Sequence, residues 1–394
     1  MTSTRPAQAT SCPDEILLKL KDAVAQALPK SASLSKSPAA DSPQALSASA
    51  QASGERSGQA DPDQTCTSSD GQTWRTQDIV ATISSIDSWD NFDIFALRDA
   101  SGGHELELTA LAIFQRHALV EKFKLDVDVT IRYFHAVASA YRDNPYHNST
   151  HAADVLQSTH VLLTIESLRS QFTDFQVLAM VLAAMVHDIG HLGYNNPFLV
   201  ARRHELALQF NDQSVNEHYH ALTAFEIMRS DESCNLMSAL SDEHQALLER
   251  TVVDIVLKTD MAVHGSIVET FTEYVDKSGT SISQWDDEGK QLACSMMVHL
   301  ADLTNVSRPT RLGTQWGTRV VKEMWLQGDE EKRNGMVVTP ICDREKTSVA
   351  SAQLGFCNFV VTPMLDPIGR VIDVGWLKRG VDAYVAHYEA ELAS

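Results

Sequence analysis

Two short stretches of the chain place aspartate and histidine together at the end of a strongly apolar segment. His187 and Asp188 directly follow "VLAMVLAAMV", and His191 lies four residues after His187. His299 and Asp302 close a second apolar segment, "LACSMMVHLAD". A charged aspartate that emerges from a buried helix is costly unless another group pairs with it. Two such helix ends that also carry histidines indicate a shared cation.

The histidine pair His147 and His151 adds to this inventory, because residues four apart on a helix lie on the same face. A single histidine on an apolar face is more often a hydrogen-bonded core residue, so the combination carries the argument. Imidazole and carboxylate together suit a transition metal, and one aspartate can bridge two ions through its two oxygens. The set predicts a two-metal hydrolase, with a hard, water-rich cation such as Mg²⁺ at the second position.

The overall composition narrows the class of protein. The 394 residues have a formal net charge of -20, which disfavours a nucleic-acid-binding surface because phosphate contacts need clustered Lys and Arg. The 6 cysteines are scattered without a CxxC pair, which argues against a disulfide framework and a thiolate zinc site. The longest apolar stretch falls well short of the roughly 20 residues that span a bilayer. We therefore expect a soluble, cytoplasmic protein without a transmembrane segment.

The composition changes sharply near residue 75, which divides the chain into a predicted N-terminal region (1–75) and a folded domain. Residues 13–28 have apolar side chains at helical spacing and predict a short helix. Residues 31–75 are rich in Ser, Ala, Gln and Pro, and bury too little apolar surface to offset the entropy of ordering. They are predicted to be a disordered linker. The short helix is either marginal and without a partner, or a docking or dimerising helix.

Residues 76–394 repeat apolar side chains at helical spacing and contain no convincing sheet pattern. We predict one all-α domain there, of a size that also allows two subdomains. Asn144 and Pro145 are predicted to cap and begin the helix that carries the HxxxH pair. The charged, turn-rich residues 328–346 predict a mobile loop. We expect this loop to lie over the mouth of the pocket that holds the predicted metal site.

The motifs around these residues resemble a known family. "YHNSTHAADVLQ" and "HDIGHLGYNNPF" are similar to the two signature motifs of the class I cyclic-nucleotide phosphodiesterases. The resemblance continues in order through "ELALQFNDQSVNEHYH", "DIVLKTDMAVH", "MVHLADLTN", "QWGTRVVKEMWLQGDEEKRNGM" and "TPICDREKTSVASAQLGFCNF". It covers roughly residues 100–390 and implies that family's compact, multi-helix catalytic domain, in agreement with the helical pattern.

The resemblance implies a role for each metal-binding candidate. Four residues match the ligands of the tighter metal, usually zinc: His151, His187, Asp188 and Asp302. Asp188 also matches the ligand of a second metal, usually Mg²⁺ or Mn²⁺. Three residues match those that hold the waters around this second metal: His191, Glu217 and Thr259. Residues that orient such waters matter nearly as much as the ligands themselves.

Four more residues match positions that contact the substrate in this family: Tyr146, Asn305, Gln353 and Phe356. The resemblance implies that Gln353 hydrogen-bonds the purine and that Phe356 stacks on it. A side-chain amide can serve adenine or guanine, because it both donates and accepts. Asn305 stands where cAMP-hydrolysing relatives often carry asparagine, which favours cAMP, although an asparagine there can also simply cap a helix.

One position departs from the family pattern. Many relatives have aspartate where this chain has Gly190, so that HDIGH replaces HDxDH. Because the flanking ligands are intact, we expect the difference to alter the surroundings of the metals rather than abolish metal binding.

The reaction implied by the resemblance is hydrolysis of a 3′,5′-cyclic nucleotide to the nucleoside 5′-monophosphate, which would end a cyclic-nucleotide signal. Two cations about 3.5–4 Å apart would activate a bridging water for in-line attack at phosphorus. His147 matches the family's general acid and would protonate the 3′ oxygen as it leaves.

Two other functions stay open at this point. An HD-class phosphohydrolase acting on another nucleotide would share the metal ligands but would not need "SAQLGF" or "YHNSTHAADV". A catalytically silent cyclic-nucleotide sensor would bind without turnover, and the complete set of metal positions and the acid argue against it. The sequence also leaves open a homodimer, or a protein partner for the N-terminal helix.

Overall fold

A computed structural model describes residues 14–28, 65–67 and 73–394. These residues are predominantly helical, and the all-α prediction is confirmed. The helices of the first half are α1 (Asp14–Ala27), α2 (Thr76–Ser84), α3 (Ile94–Ser101), α4 (Glu105–Arg116), α5 (Leu119–Phe123), α6 (Val127–Ala140), α7 (Ser149–Thr164), α8 (Glu166–Arg169), α9 (Asp174–Val186) and α10 (Asn196–Ala201). Those of the second half are α11 (Glu205–Gln209), α12 (Val215–Ser230), α13 (Asp242–Leu257), α14 (His264–Ser278), α15 (Asp287–Leu303), α16 (Thr310–Arg333), α17 (Val349–Phe356), α18 (Thr362–Ile368) and α19 (Gly375–Ala393). Two short strands, β1 (Thr65–Thr67) and β2 (Thr73–Arg75), pair antiparallel.

The apolar segment before His187 forms α9, in the core of the domain. Thr173 caps this helix in a reciprocal pair with Gln176, in which each side chain accepts a hydrogen from the backbone N–H of the other residue. Every residue from 177 to 186 is buried. Helices α7, α13 and α15 pack against it. Because a densely packed interior deforms little, the end of α9 is held in position where the candidate ligands follow.

Helix α7 begins later than the sequence predicts. Asn148 is the N-cap, and its side chain accepts hydrogens from two backbone N–H groups of the first turn. Asn144, the predicted cap, instead donates to the carbonyl oxygens of His147 and His191. The prediction that His147 and His151 share one helix face is therefore wrong, because His147 lies in the turn before the helix.

A 3₁₀ turn (Thr304–Ser307) follows α15 and carries Asn305. The buried Arg308 comes directly after this turn. Its guanidinium lies 2.8 Å from the carboxylate of Asp154 on α7 and 3.8 Å from the centre of the Trp89 ring. A buried ion pair is costly to break from one side, because the remaining charge is left uncompensated. The pair therefore fastens the C-terminal end of α15 to α7.

The predicted N-terminal helix is present as α1, and it packs against α2 and α4 of the same chain. The inward side chains of α1 and of the residue that follows it are completely or almost completely buried: Leu20, Ala23, Val24 and Leu28. Gln115 of α4 donates to the carbonyl oxygen of Leu28, which closes the end of the helix against the domain. The apolar face that predicted a docking helix is thus covered by this chain itself.

Most of the predicted linker lies outside the described residues, as do residues 1–13. Its described parts are β1 and β2, and Trp74 of β2 is buried. The disorder of the linker and the boundary at residue 76 stay predictions. None of the described helices is both long and apolar enough to cross a membrane.

The loop predicted over residues 328–346 is partly helical. Helix α16 extends well into this segment, and the 3₁₀ turn Pro340–Cys342 follows. The carboxylate of Glu331 accepts hydrogens from the backbone N–H and the hydroxyl of Thr339. These bonds hold the segment that follows α16 against the end of that helix. The loop prediction is wrong for residues 328–333, because charged side chains are as compatible with a solvent-facing helix as with a turn.

Candidate active site

The four predicted ligands of the tighter metal come from three helices and meet in one place: His151 from α7, His187 and Asp188 from the end of α9, and Asp302 from α15. The Nε2 atom of His151 lies 3.0 Å from Asp302 Oδ1 and 3.4 Å from Asp188 Oδ2. The Nε2 atom of His187 lies 3.1 Å from Asp188 Oδ2 and 3.4 Å from Asp302 Oδ1. Two imidazoles therefore face the same two carboxylate oxygens. His299 of α15 is not part of this cluster and pairs with His264 instead.

The environment of His187 fits a metal ligand. Its Nδ1 atom donates to the carbonyl oxygen of Ala184 at 2.9 Å, which leaves the lone pair on Nε2. That Nε2 atom is buried, lacks a hydrogen-bond partner and faces the two aspartates. Burial lowers the pKa of His187, but the charges of Asp188 and Asp302 outweigh burial and raise it well above its usual value. The carboxylates of Asp188 and Asp302 thus favour a positive charge at Nε2 of His187, and either a proton or a divalent cation can supply it.

Sequence reasoning missed His220, which lies beside Asp188. Its Nε2 atom is 3.7 Å from Asp188 Oδ1, and its Nδ1 atom donates to the carbonyl oxygen of Ile189 at 2.7 Å. Burial lowers the pKa of His220 to about 4, so the ring is neutral at physiological pH. The sequence could have indicated that His220 is buried, because it lies on the face of α12 that also carries the buried Ala221 and Ala224. A third imidazole therefore faces the central aspartate.

His147, the predicted general acid, is bound to a carboxylate that the sequence did not single out. Its Nδ1 atom donates to Glu323 Oε1 at 2.5 Å, and Glu323 Oε2 accepts from the backbone N–H groups of Tyr146 and His147. Burial lowers the pKa of His147, but Glu323 and Asp188 outweigh it and raise the pKa to about 9. Burial alone would raise the pKa of Glu323, yet the neighbouring His147 brings it down to about 2. The pair is therefore held as imidazolium and carboxylate.

Glu323 could have been found from the pattern of α16. Glu323, Gln327 and Glu331 are spaced four residues apart, so they lie on one face of the helix, and all three are buried. A polar stripe on a buried face must meet partners elsewhere in the fold. Gln327 accepts from the backbone N–H of Asn195, just as Glu323 meets His147.

His191, predicted to hold the waters of a second metal, lies between two other histidines. Its ring stacks on that of His147 with centroids 4.0 Å apart, and on that of His220 at 5.6 Å. Its Nδ1 atom accepts from the backbone N–H of Gly193 at 3.0 Å, which places the proton of the neutral ring on Nε2. Burial lowers the pKa of His191 well below its usual value, and the charge of His147 lowers it further. A neutral donor therefore borders the acid.

The other two residues predicted to hold those waters lie in different environments. Glu217 accepts from Asn196 at 2.8 Å, and Asn196 also lies 3.4 Å from Asp260 Oδ2. Burial raises the pKa of Glu217 to about 7, and the charge of Asp260 adds to the rise. The hydroxyl of Thr259 donates to the carbonyl oxygen of Val256. Asp260, which sequence reasoning missed, is thus the residue that shares a hydrogen-bond donor with Glu217.

A family model described as 3′5′-cyclic nucleotide phosphodiesterase matches residues 146–377, more than half of the chain. The matched segment contains the metal-ligand candidates and His147. The chain belongs to the cyclic-nucleotide phosphodiesterase family. This membership agrees with a site in which imidazoles and carboxylates converge beside a protonated histidine.

Individual members of this phosphodiesterase family are similar over most of the chain. A probable 3′,5′-cyclic-AMP phosphodiesterase of Caenorhabditis elegans is 34% identical over 294 residues, which make up 74% of this chain and 43% of that protein. A 3′,5′-cyclic-AMP phosphodiesterase 4C of Rattus norvegicus is 34% identical over 298 residues, which make up 74% of this chain and 55% of that protein. The chain spans about half the length of these curated relatives.

Solved phosphodiesterase structures have the same fold. The phosphodiesterase domain of a RhoPDE fusion protein from the choanoflagellate Salpingoeca rosetta is 32% identical with a TM-score of 0.72, and the likeness covers 78% of this chain and 95% of that domain. A second structure, of the phosphodiesterase domain of the rhodopsin phosphodiesterase from the same organism, is 30% identical with a TM-score of 0.72, over 78% of this chain and 92% of the other. The helical architecture is that of a phosphodiesterase domain.

Tyr146 and Asn305, two of the predicted substrate contacts of this phosphodiesterase domain, bind each other. The Nδ2 atom of Asn305 donates to the Tyr146 hydroxyl at 2.5 Å. The Tyr146 ring lies 4.4 Å from the ring of His151, so this pair borders the metal-ligand cluster. Asn305 does not cap a helix: it lies within a 3₁₀ turn, and its side chain donates to Tyr146. The amide oxygen of Asn305 is left to accept a further hydrogen.

Gln353 is positioned by a residue of the last helix that sequence reasoning missed. Its Oε1 atom accepts from the hydroxyl of Tyr384 at 3.0 Å. Gly317 makes this approach possible, because a Cβ there would lie 2.2 Å from the Tyr384 hydroxyl and 3.1 Å from Gln353 Cγ. Phe356 lies three residues after Gln353 on the same helix face, is only partly buried and lines a shallow cavity with Val360. An aromatic face and an amide are therefore presented side by side.

Gly190, where the sequence was expected to depart from the family pattern, has a left-handed backbone with φ of 75°. A Cβ at this position would lie 3.0 Å from Cε1 of Tyr219. Arg142 donates to the carbonyl oxygen of Gly190 at 3.1 Å, which helps to hold this conformation. The ring of Tyr219 therefore occupies the space that a side chain at position 190 would need.

Proposed function

We propose that this chain hydrolyses 3′,5′-cyclic nucleotides, with cAMP favoured, to nucleoside 5′-monophosphates. The observation that carries the proposal is the pairing of His147 with Glu323 next to a cluster of two histidines and two aspartates. A protonated imidazole beside a metal-ligand set supplies both an acid and a site for an anionic phosphodiester. Two relatives named as cyclic-AMP phosphodiesterases support the choice of reaction.

Four side chains would hold the tighter ion, with zinc expected there: His151, His187, Asp188 and Asp302. Asp188 would also contact a second ion, Mg²⁺ or Mn²⁺, whose waters His191, Glu217 and Thr259 would orient. Bound divalent ions supply Lewis-acid polarisation of the phosphate and a nucleophilic hydroxide at neutral pH. Burial lowers the pKa of His191, which favours the neutral ring. A neutral ring can donate to a water and does not repel a nearby cation.

His147 would deliver the proton that completes the reaction. The bond between phosphorus and the 3′ oxygen would break while the oxygen of a hydroxide bonds to phosphorus, and the leaving 3′ alkoxide would take a proton from His147 Nε2. Because Nδ1 is bound to Glu323, Nε2 is the nitrogen that can face the substrate. Glu323 therefore sets both the orientation and the protonation state of the acid.

The preference for cAMP rests on the residual hydrogen-bonding capacity of Asn305. Its amide nitrogen is bound to Tyr146, so its oxygen is the atom available to a base. Adenine carries an exocyclic amine that donates, whereas guanine carries a carbonyl oxygen at that position and would face another acceptor. Gln353 does not make this choice. Its oxygen is bound to Tyr384, so its amide nitrogen is the atom available to a base, and adenine and guanine both carry acceptor atoms.

The test is steady-state hydrolysis of cAMP and cGMP by the intact chain and by Asp188→Ala in the presence of Mg²⁺. We expect turnover of cAMP by the intact chain and almost none by the variant. His387→Ala, which changes an exposed histidine of α19, is the matched control and should keep full activity. Saturable binding of cyclic nucleotide without turnover would favour the silent sensor. Hydrolysis of other phosphoesters alone would favour another HD-class phosphohydrolase.

We also propose a cytoplasmic location. Four cysteines are buried as free thiols, Cys234, Cys294, Cys342 and Cys357, which is compatible with a reducing compartment. A homodimer, or a protein partner for the N-terminal region, stays a proposal that sedimentation of the intact chain would test.

A further inference from the structure

A second cluster of histidine and carboxylate lies away from the candidate active site, between α4 and α6. His104 precedes the first turn of α4, Glu107 lies within that turn, and His135 lies on α6. Glu107 Oε1 is 2.9 Å from the Nδ1 atom of His104 and 3.1 Å from the Nδ1 atom of His135. One ligand atom from each residue lies within 4.8 Å of the other two.

The cluster contains buried negative charge that its hydrogen bonds only partly satisfy. Glu107 is 2% exposed, and its second oxygen, Oε2, is buried without a hydrogen-bond partner. Glu105, two residues earlier, is completely buried, and its Oε2 atom also lacks a partner. A buried carboxylate oxygen without a hydrogen-bond partner is costly, and a cation bound beside it would offset that cost.

We propose that His104, Glu107 and His135 form a structural site for a transition-metal ion of the zinc class. Two imidazoles and one carboxylate are a donor set that zinc takes in proteins. Donors around tetrahedral zinc lie about 3.3 Å apart, given bonds of roughly 2.0–2.1 Å, and the two N–O distances of 2.9 and 3.1 Å are within a few tenths of that value. All three ligand atoms lie within 4.8 Å of one another, so one ion can contact all three once the imidazoles adjust around it.

The surroundings of the cluster allow a fourth ligand and a structural effect. The side chains of His104 and His135 are each 12% exposed, so water can reach the ion. Glu105 accepts from the hydroxyls of Ser149 and Thr150 in the first turn of α7. An ion at Glu107 would therefore join α4 to α6 next to the turn that leads into the active site.

The direct test is the zinc content of the full-length chain. Asp188→Ala removes a predicted ligand of both active-site ions and serves as the background. After dialysis against micromolar free zinc, we expect this protein to retain roughly one zinc more than the same protein with His135→Gln added. His387→Gln in place of His135→Gln is the matched control and should leave the zinc content unchanged. Any ion that stays in the active site cancels in this comparison, so the result does not depend on the proposed hydrolysis.

A second readout separates metal binding from misfolding. Glu107→Gln keeps the size of the side chain and its hydrogen-bond acceptor but removes the charge. In the Asp188→Ala background, added zinc should raise the unfolding temperature, and Glu107→Gln should abolish that rise while circular dichroism stays that of a helical protein. Equal zinc contents with and without His135→Gln, in two folded proteins, would overturn the proposal and leave the cluster as a hydrogen-bonded charge pair.

Discussion

Glu323 accepts a hydrogen from the imidazole of His147 although the two residues are 176 positions apart in the chain. The same carboxylate also accepts from the backbone of the turn that carries His147. The contact links α16 to the start of α7, so a distant helix controls how the candidate acid is oriented and when it is protonated. Replacing either residue should therefore affect the chemical step.

Glu323→Gln should lower kcat and move the alkaline limb of the pH–rate profile to lower pH. Glu323 and Asp188 raise the pKa of His147 to about 9 against the effect of burial. A neutral glutamine contributes no such charge, so His147 would lose its proton at a lower pH. Because a general acid acts only when protonated, activity falls as the pH rises through this pKa. The measurement is kcat/KM for cAMP across roughly pH 6 to 10.

Glu389→Gln, an exposed change on α19, is the control for this experiment and should leave the profile unchanged. If the profile of Glu323→Gln superimposes on that of the unmodified chain, the carboxylate does not set the protonation of His147.

His147→Gln should lower kcat by roughly 10²–10⁴-fold without changing the metal content, since this is the usual contribution of a general acid. Asp302→Asn should instead lose bound metal, because it removes a carboxylate that faces both ligand histidines. Turnover and metal content are measured on the same samples. Loss of metal from His147→Gln would make His147 a ligand, together with His191 and Glu323, with which it forms a cluster.

Asn305→Leu should lower kcat/KM for cAMP by about fivefold and change that for cGMP less, because one hydrogen bond to a ligand contributes on the order of 1 kcal/mol. The amide oxygen of Asn305 is the atom available to the amine of adenine, since its nitrogen is bound to Tyr146. The two rates are measured in competition. Equal losses for the two nucleotides would mean that Asn305 supports the pocket without reading the base.

Gly190→Ala should destabilise the fold by roughly 1 kcal/mol or more, because φ of 75° is unfavourable for a side chain and Tyr219 lies 3.0 Å from the added Cβ. The free energy of unfolding in urea measures the effect. Gly265→Ala is the matched control: it lies in α14 with no atom within 4 Å of its Cβ position, and it should stabilise slightly. In a Tyr219→Ala background the cost of Gly190→Ala should fall but not vanish, since the backbone strain persists.

Arg308→Met should destabilise the fold by about 3–5 kcal/mol, because it leaves the carboxylate of Asp154 buried without its partner. The double change Arg308→Met with Asp154→Leu removes both charges and should cost clearly less. Arg311→Met breaks a partly exposed ion pair with Asp93 and should cost below about 1 kcal/mol. Urea unfolding of the unmodified chain, Arg308→Met, Asp154→Leu and the double variant measures the coupling. Additive costs of the two single core changes would contradict it.

The helical class of the fold and the central metal-ligand candidates follow from the sequence. Apolar periodicity is a local property, so it predicted the buried helix before His187 and the one that ends near Asp302. Helix ends were harder, since Asn144 and Asn148 are both good caps. Asn144 does not cap the helix, because its side chain donates to the carbonyl oxygen of His191, a contact made only in the folded chain.

The partners of the site residues were decided by the tertiary structure. Glu323, His220 and Tyr384 each lie on a helix face whose pattern predicts burial but not what the side chain meets. Residue type and spacing determine which chemistry a chain can carry, because these properties act over a few residues. Which acid orients His147, and which hydroxyl holds Gln353, depends on how distant helices pack, and only the folded structure brings those atoms within hydrogen-bonding distance.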